Sequence, residues 1–344
     1  MDIFTGLDPS SDYSKTSLQF IVGAWVMATP FEPKQKVSTN NGDVAEEDYD
    51  KRSIYSLLYA LYRSVGTVKT EHGEPYEFTF NTWGYTWPAA WGPRPTGERD
   101  PERYGKNAYT GLYHFQQIKD FVASKDGKVH VVEMGCGTAA GANEVCTNVL
   151  PKCTYHAFDM QQAAVNTAHR KFVGNHGGRL TVTRADCTAL PIADAVADIV
   201  AVNETHVTEM VGHASEEDIK FFAQMYRVLK PGGFMVWGNA IPESTWKPCF
   251  DAMVALGMEV VEVCDVTKEA ILARDEDKAR ADIYVEQCLN TYWGFRIPVY
   301  GGRKREAAEM AMKNFYRNPG TNLYDTMVNG TDTYKVVLLR KPAT

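Results

Sequence analysis

The chain has 344 residues, 44% of them hydrophobic, and a net charge of −7, with 36 Lys and Arg against 43 Asp and Glu. That is enough for one large domain or two modest ones with a sizeable core, and the acidic balance argues against a protein that wraps nucleic acid. The seven cysteines include no C-x-x-C pair and the eight histidines do not pair at metal spacing, so no disulfide framework or metal site is expected and a reducing, cytoplasmic setting fits.

Taken in chain order, residues 1–127 form a first, mostly helical region. The apolar run over 18–28 is too short to span a bilayer and follows acidic rather than basic residues, so it reads as a buried helix and not a signal peptide. No transmembrane segment is expected elsewhere. Asp50–Val65 carries Ile54, Leu57, Leu58, Leu61 and Val65 at helical spacing. An aromatic, proline-rich passage, Tyr76–Pro95, then breaks any regular element. Its rings either fill a core or line a pocket.

From Lys128 the pattern alternates. Strands are predicted over 128–134, 154–158, 180–184, 197–203, 233–239, 259–265 and 334–340, with helices over 139–149, 161–174, 216–229 and 244–256. Strands separated by helices of this length imply βαβ units with right-handed connections. The fold class is therefore α/β: a Rossmann-like, seven-stranded, mostly parallel sheet with helices on both faces. Residues 1–127 form an N-terminal cap, 128–265 the core, 266–331 a polar helical insertion of the kind that makes a lid, and 332–344 the last strand of the core.

The first strand runs into "EMGCGTAAG", where Gly135, Gly137 and Ala140 satisfy G-x-G-x-x-[GA]. That fingerprint is weak alone. Glycines let a backbone approach a ligand, and the helix start behind them favours negative charge: a pyrophosphate, or the carboxylate of an amino acid. Glu133, two residues before Gly135, would repel a pyrophosphate but suits an ammonium or sulfonium group. Asp159, at the end of the second strand, can accept hydrogen bonds from both ribose hydroxyls, a device dinucleotide enzymes share. Asp186, after the third strand in "RADCTALP", can accept from an adenine amine, and "RVLKPGG" ends a helix in a turn before the fifth strand.

Together, E-x-G-x-G, the Asp after the second strand, A-D-C-x-x-L-P and R-V-L-K-P-G-G resemble the class I S-adenosylmethionine-dependent methyltransferases, over about 128–265 and the last strand. "TGLYHFQQI" (Thr110–Ile118) and "VNETHVTEM" (Val202–Met210) resemble the small-molecule members: sterol, tocopherol and phthiotriol methyltransferases. The resemblance implies S-adenosyl-L-methionine as cofactor. It puts Gly135, Cys136 and Gly137 against the methionyl part, Glu133 behind the turn, Asp159 on the ribose, and Met160, Ala185, Asp186 and Cys187 around the adenine. Asn203 lies near the methionyl group, and Tyr104 with the 109–117 helix closes over its carboxylate. His206, three residues past Asn203, is the candidate general base, with Glu204 and Glu209 flanking it.

The expected activity is methyl transfer to a small natural-product-like or lipid-like acceptor, with a small-molecule substrate as the partner, no nucleic acid, and a homodimer left open. Two other readings keep the same fold. In one, the cofactor's own aminobutyryl chain cyclises and methylthioadenosine leaves. In the other, the chain binds the cofactor without catalysis.

Overall fold

The computed structural model describes residues 67–70, 73–80, 82–205, 215–291, 305–306, 309–310 and 312–343. The predicted helices at 18–28 and Asp50–Val65, the histidines His206 and His213, Glu209, and the aromatics Tyr292, Trp293 and Tyr300 lie outside them.

Seven strands form one sheet. They are β3 (His130–Met134), β4 (Thr154–Asp159), β5 (Leu180–Arg184), β6 (Ala197–Asn203), β7 (Leu229–Pro242), β8 (Glu259–Asp265) and β9 (Asp332–Arg340), in the order β5-β4-β3-β6-β7-β9-β8. All seven fall on predicted segments. Central strands read as unbroken apolar runs because both faces are covered, and every residue of β6 is buried. β5, β4, β3, β6 and β7 pair in parallel, and β9 inserts antiparallel between β7 and β8. Strand pairing carries β7 back to Leu229, across the Pro-Gly-Gly turn, with a register irregularity opposite Ala197 and Ile199. Gly233 fits there because a Cβ would press on the Asp198 carbonyl.

Helices cover both faces. On one side lie α1 (Arg103–Gly111), α2 (Gln116–Ser124), α3 (Ala140–Glu144), which runs on as a π turn over Val145–Val149, and α4 (Gln162–Lys171). Leu112, Tyr113, Phe115 and Val145 pack there against Tyr155, Ala201, Val236 and Val336 of the sheet. On the other side lie α5 (Glu216–Val228) and α6 (Glu243–Ala255), whose Phe221, Phe222, Trp246 and Cys249 meet Val200, Val202 and Trp237. Helix α5 starts at Ser215, which accepts from the Asp218 N–H while the Asp218 carboxylate accepts from the Ser215 N–H, a capping box.

The insertion before β9 is helical as expected, with α7 (Thr267–Thr291) and α8 (Asn322–Val328). Ahead of the core, a short hairpin, β1 (Thr67–Lys69) and β2 (Pro75–Glu77), leads into an extended aromatic passage. Phe78 stacks on Tyr284 of α7 with ring centres 4.2 Å apart, and Tyr85 is fully buried edge-on to Tyr334 of β9. These aromatics are therefore packing groups that fix the first region and the insertion over the sheet. No helix among the described residues is long and apolar enough to cross a membrane.

Candidate active site

The site forms at the carboxyl ends of β3, β4 and β6, where parallel strands hand over to helices. Leaving β3, the chain takes left-handed conformations at Gly135 (φ 79°), Gly137 (φ 56°) and Ala139 (φ 61°) before α3 begins. A side chain at Gly135 would collide with Thr205, whose hydroxyl donates to the Gly135 carbonyl at 2.9 Å and the Asn203 carbonyl at 3.0 Å. The Gly135 and Cys136 N–H groups both donate to the Phe158 carbonyl, at 2.8 and 2.9 Å, binding the turn to the end of β4.

Asp159 completes that link. Its Oδ2 accepts from the Gly137 N–H at 2.8 Å and its Oδ1 from the Gln161 N–H at 2.8 Å. Burial raises its carboxyl, and the two N–H donors offset part of that rise. Each oxygen retains a second lone pair for a ligand. Met160, the next residue, is 60% exposed, a large apolar side chain with no cover at the rim of the site. Asp186 is exposed beyond β5, and its Oδ1 is held by the N–H and hydroxyl of Thr188. Ala185 and Cys187 beside it are partly buried. Burial pushes the Cys187 thiol up to about 12, and the Gly135 backbone beside it offsets part of that rise.

Among the described residues, Glu133 and Asn203 are two of the buried polar side chains that lack partners. Glu133 is fully enclosed, and neither carboxylate oxygen has a hydrogen-bond partner among the described residues. Burial pushes its carboxyl up to about 7, while the Tyr109 and Tyr155 hydroxyls nearby, outside hydrogen-bond geometry, moderate the rise. Asn203, at the end of β6 and 4% exposed, has both amide atoms unpartnered. Because leaving such groups unpaired costs roughly 1–3 kcal/mol each, the arrangement fits a polar ligand at the turn, with Glu133 offering acceptors to a cation.

Glu204, which the sequence sets beside His206, has its own partners among the described residues. Its backbone is left-handed (φ 49°), and its carboxylate accepts from the Trp83 N–H at 2.8 Å, the Gly84 N–H at 3.2 Å and the Tyr334 hydroxyl at 2.7 Å. It clamps the aromatic passage to β9. Burial raises its carboxyl, against the pull of these donors. Tyr104 is likewise committed: its hydroxyl donates to Glu276 of α7 and accepts from Arg103 at 2.7 Å. The expected 109–117 helix is broken, since α1 ends at Gly111 and Phe115 is extended before α2. Gly111 closes α1 at a point where a side chain would strike the Tyr85 hydroxyl. The aromatic of α1 that reaches the glycine turn is Tyr109, whose ring occupies the place of a side chain at Gly141. Sequence reading passed over Tyr109, Gly141, Thr205 and Gly238. The glycine inside the α3 pattern was the one available signal of a close approach, and a Cβ at Gly238 would crowd the Asn203 amide and Leu112.

The strand order, the lone antiparallel β9 and the glycine turn at the end of β3 are the arrangement of the class I S-adenosylmethionine-dependent methyltransferase fold. Residues 131–233 match the family model of a methyltransferase domain. Among curated proteins, the chain is 29% identical over 188 residues to the phthiotriol/phenolphthiotriol dimycocerosates methyltransferase 1 of Mycobacterium ulcerans, covering 54% of this chain and 66% of that protein. It is 22% identical over 232 residues to the fatty-acid O-methyltransferase of Mycolicibacterium smegmatis, covering 67% of this chain and 73% of that protein. The matches span between 46% and 66% of the length of the phthiotriol-type relatives. Among solved structures, the fold is similar to the cyclase SpnF (TM-score 0.54, 19% identity, 85% of this chain and 94% of that one). It is also similar to a putative sarcosine dimethylglycine methyltransferase from Galdieria sulphuraria (TM-score 0.53, 12% identity, 76% and 92%).

Proposed function

We propose that this protein transfers the methyl group of S-adenosyl-L-methionine to a small, lipid-like acceptor and releases S-adenosylhomocysteine. The observation that carries the reading is the pair of buried, unpartnered polar side chains, Glu133 and Asn203, beside the Gly135–Gly137 turn. Bound there, the cofactor supplies a sulfonium-activated methyl group for in-line displacement.

The chain's own residues bind, orient and exclude water. Gly135, Cys136 and Gly137 let the backbone lie against the methionyl part, and Asn203 turns its amide to the same end. Glu133 answers the ammonium group from behind the turn. Asp159 takes the ribose hydroxyls on its remaining lone pairs. Met160, Ala185 and Cys187 border the adenine, and Asp186 accepts from its amine. In this reading Glu204 is a positioning residue that holds Trp83, Gly84 and Tyr334 over the site, and Tyr104 secures α1 to α7 while Tyr109 faces the turn. His206 remains the proposed base for an acceptor that must lose a proton.

The acceptor class rests on the names of the curated relatives, which act on phthiotriol-type lipids and fatty acids. The test is to incubate the purified protein with cofactor and a panel of long-chain alcohols, phenols and fatty acids. Acceptor-dependent S-adenosylhomocysteine supports the reading. Methylthioadenosine formed from cofactor alone would replace it with cyclisation of the aminobutyryl chain, and binding without turnover of any acceptor would leave a cofactor-binding protein.

A further inference from the structure

Outside the cofactor site, three ligating side chains meet at the outer edge of the sheet. His114 lies in the break between α1 and α2, while Glu262 and Cys264 are alternate residues of β8 and so project from one face of that strand. The His114 Nδ1 is 2.6 Å from the Gly111 carbonyl, which places the ring hydrogen on Nδ1 and leaves the Nε2 lone pair directed outward. Trp91 stacks on the ring with centres 3.6 Å apart and fixes its plane. Nε2 is 3.6 Å from the Cys264 Sγ, and Sγ is 3.8 Å from the Glu262 Oε1. All three ligand atoms lie within 4.8 Å of one another.

Those spacings have a chemical meaning. Tetrahedral zinc, with bonds of about 2.3 Å to sulfur and about 2.0–2.1 Å to nitrogen or oxygen, holds its ligand atoms roughly 3.5 Å apart. Two of the three separations are therefore near bonding geometry before any ion enters. The imidazole also has the second partner that zinc-bound histidines usually have, a backbone carbonyl on the other ring nitrogen.

We infer that His114, Glu262 and Cys264 form a binding site for a zinc-class divalent metal ion, with the fourth position open to solvent. One thiolate, one imidazole and one carboxylate favour zinc over magnesium or calcium, which take oxygen ligands. The thiol proton passes to solvent on binding, and no electron moves. The ion joins the exposed edge strand β8 to the α1–α2 break, 150 residues away in sequence. It thereby steadies α1, which carries Tyr109 to the glycine turn. His114 is too far in sequence from Glu262 and Cys264 for motif spacing to reveal the group.

The test is a cobalt titration of the full chain after chelation and reduction. One equivalent of Co²⁺ should produce thiolate-to-cobalt charge-transfer absorption that Zn²⁺ abolishes. The band should vanish in Cys264→Ser and persist in Cys187→Ser. His114→Asn and Glu262→Gln should each weaken cobalt binding at least about tenfold, the scale seen when a metal-site partner is lost. Glu262 is exposed, so Glu262→Gln should keep the fold and gives a second reading: Zn²⁺ should raise Tm in the wild type and far less in this variant. No charge-transfer band in the reduced wild type, a band that survives Cys264→Ser, or an equal Tm rise in Glu262→Gln would overturn the site.

Discussion

The Asp159 carboxylate and the Gly137 N–H are joined by a 2.8 Å hydrogen bond that ties the glycine turn to the end of β4. One side chain therefore shapes the turn and presents acceptors to whatever lies on it. Asp159→Ala should weaken S-adenosylhomocysteine binding about 10- to 100-fold, since hydrogen bonds to a charged group contribute roughly 1.5–3 kcal/mol. Isothermal titration calorimetry measures this directly, and an unchanged Kd would remove Asp159 from the site.

Glu133 gives the site a pH signature. Burial lifts its carboxyl from 4.5 to about 7 in the folded chain. Between those values the folded state keeps a proton that the unfolded chain has released, so this residue's contribution to stability is full below 4.5 and falls as pH rises through about 7. Glu133→Gln should be the more stable protein at about pH 8, by on the order of 3 kcal/mol, with the advantage vanishing near about pH 4. Urea denaturation of both proteins across that range checks the sign. A cationic ligand favours the carboxylate, so cofactor binding near neutrality should release a fraction of a proton, visible as a buffer-dependent binding enthalpy that Glu133→Gln abolishes.

Gly135 cannot carry a side chain. Its φ of 79° and the Thr205 side chain against it act together. Gly135→Ala should cost more than about 2 kcal/mol, combining left-handed strain with overpacking. Adding Thr205→Gly should recover the steric part and leave the strain. Chemical denaturation of the single and double variants tests this, and equal losses in both would show that the contact does not matter.

The Tyr334 hydroxyl donates to the Glu204 carboxylate at 2.7 Å. If Glu204 clamps rather than catalyses, Glu204→Gln should raise KM and leave the shape of the pH–rate profile unchanged. Loss of the acidic limb of that profile with KM unaltered would make Glu204 the base. Tyr334→Phe should cost about 1.5–3 kcal/mol, because it removes a donor to a buried carboxylate.

All seven strands of the core were legible in the sequence because each contains a short apolar or β-branched run between helical or turn segments. The turn residues were legible for a related reason: G-x-G with an acid before it and another at the next strand end is a local pattern with a chemical purpose. Other features depend on partners distant in sequence. The position of β9 between β7 and β8 is set by pairing, and its "TYKVVLLR" run would serve equally at an edge. The close fit of Gly111 against the Tyr85 hydroxyl joins segments far apart in the chain. Tyr104 carries a polar tip that could have faced a ligand, and only the fold shows it bound to Glu276 and Arg103. The donors to Glu204, from Trp83, Gly84 and Tyr334, come from distant segments and could not be read locally.

In the proposed reaction a cofactor methyl group leaves this site for a small acceptor. The most direct measurement uses S-adenosylmethionine carrying a deuterated methyl group, with mass spectrometry of the cofactor pool and of a lipid alcohol, phenol and fatty-acid mixture. Methyl transfer should give S-adenosylhomocysteine and a deuterium-labelled acceptor, both lost in Asp159→Ala. Methylthioadenosine from cofactor alone, or unchanged cofactor with every acceptor, would contradict it.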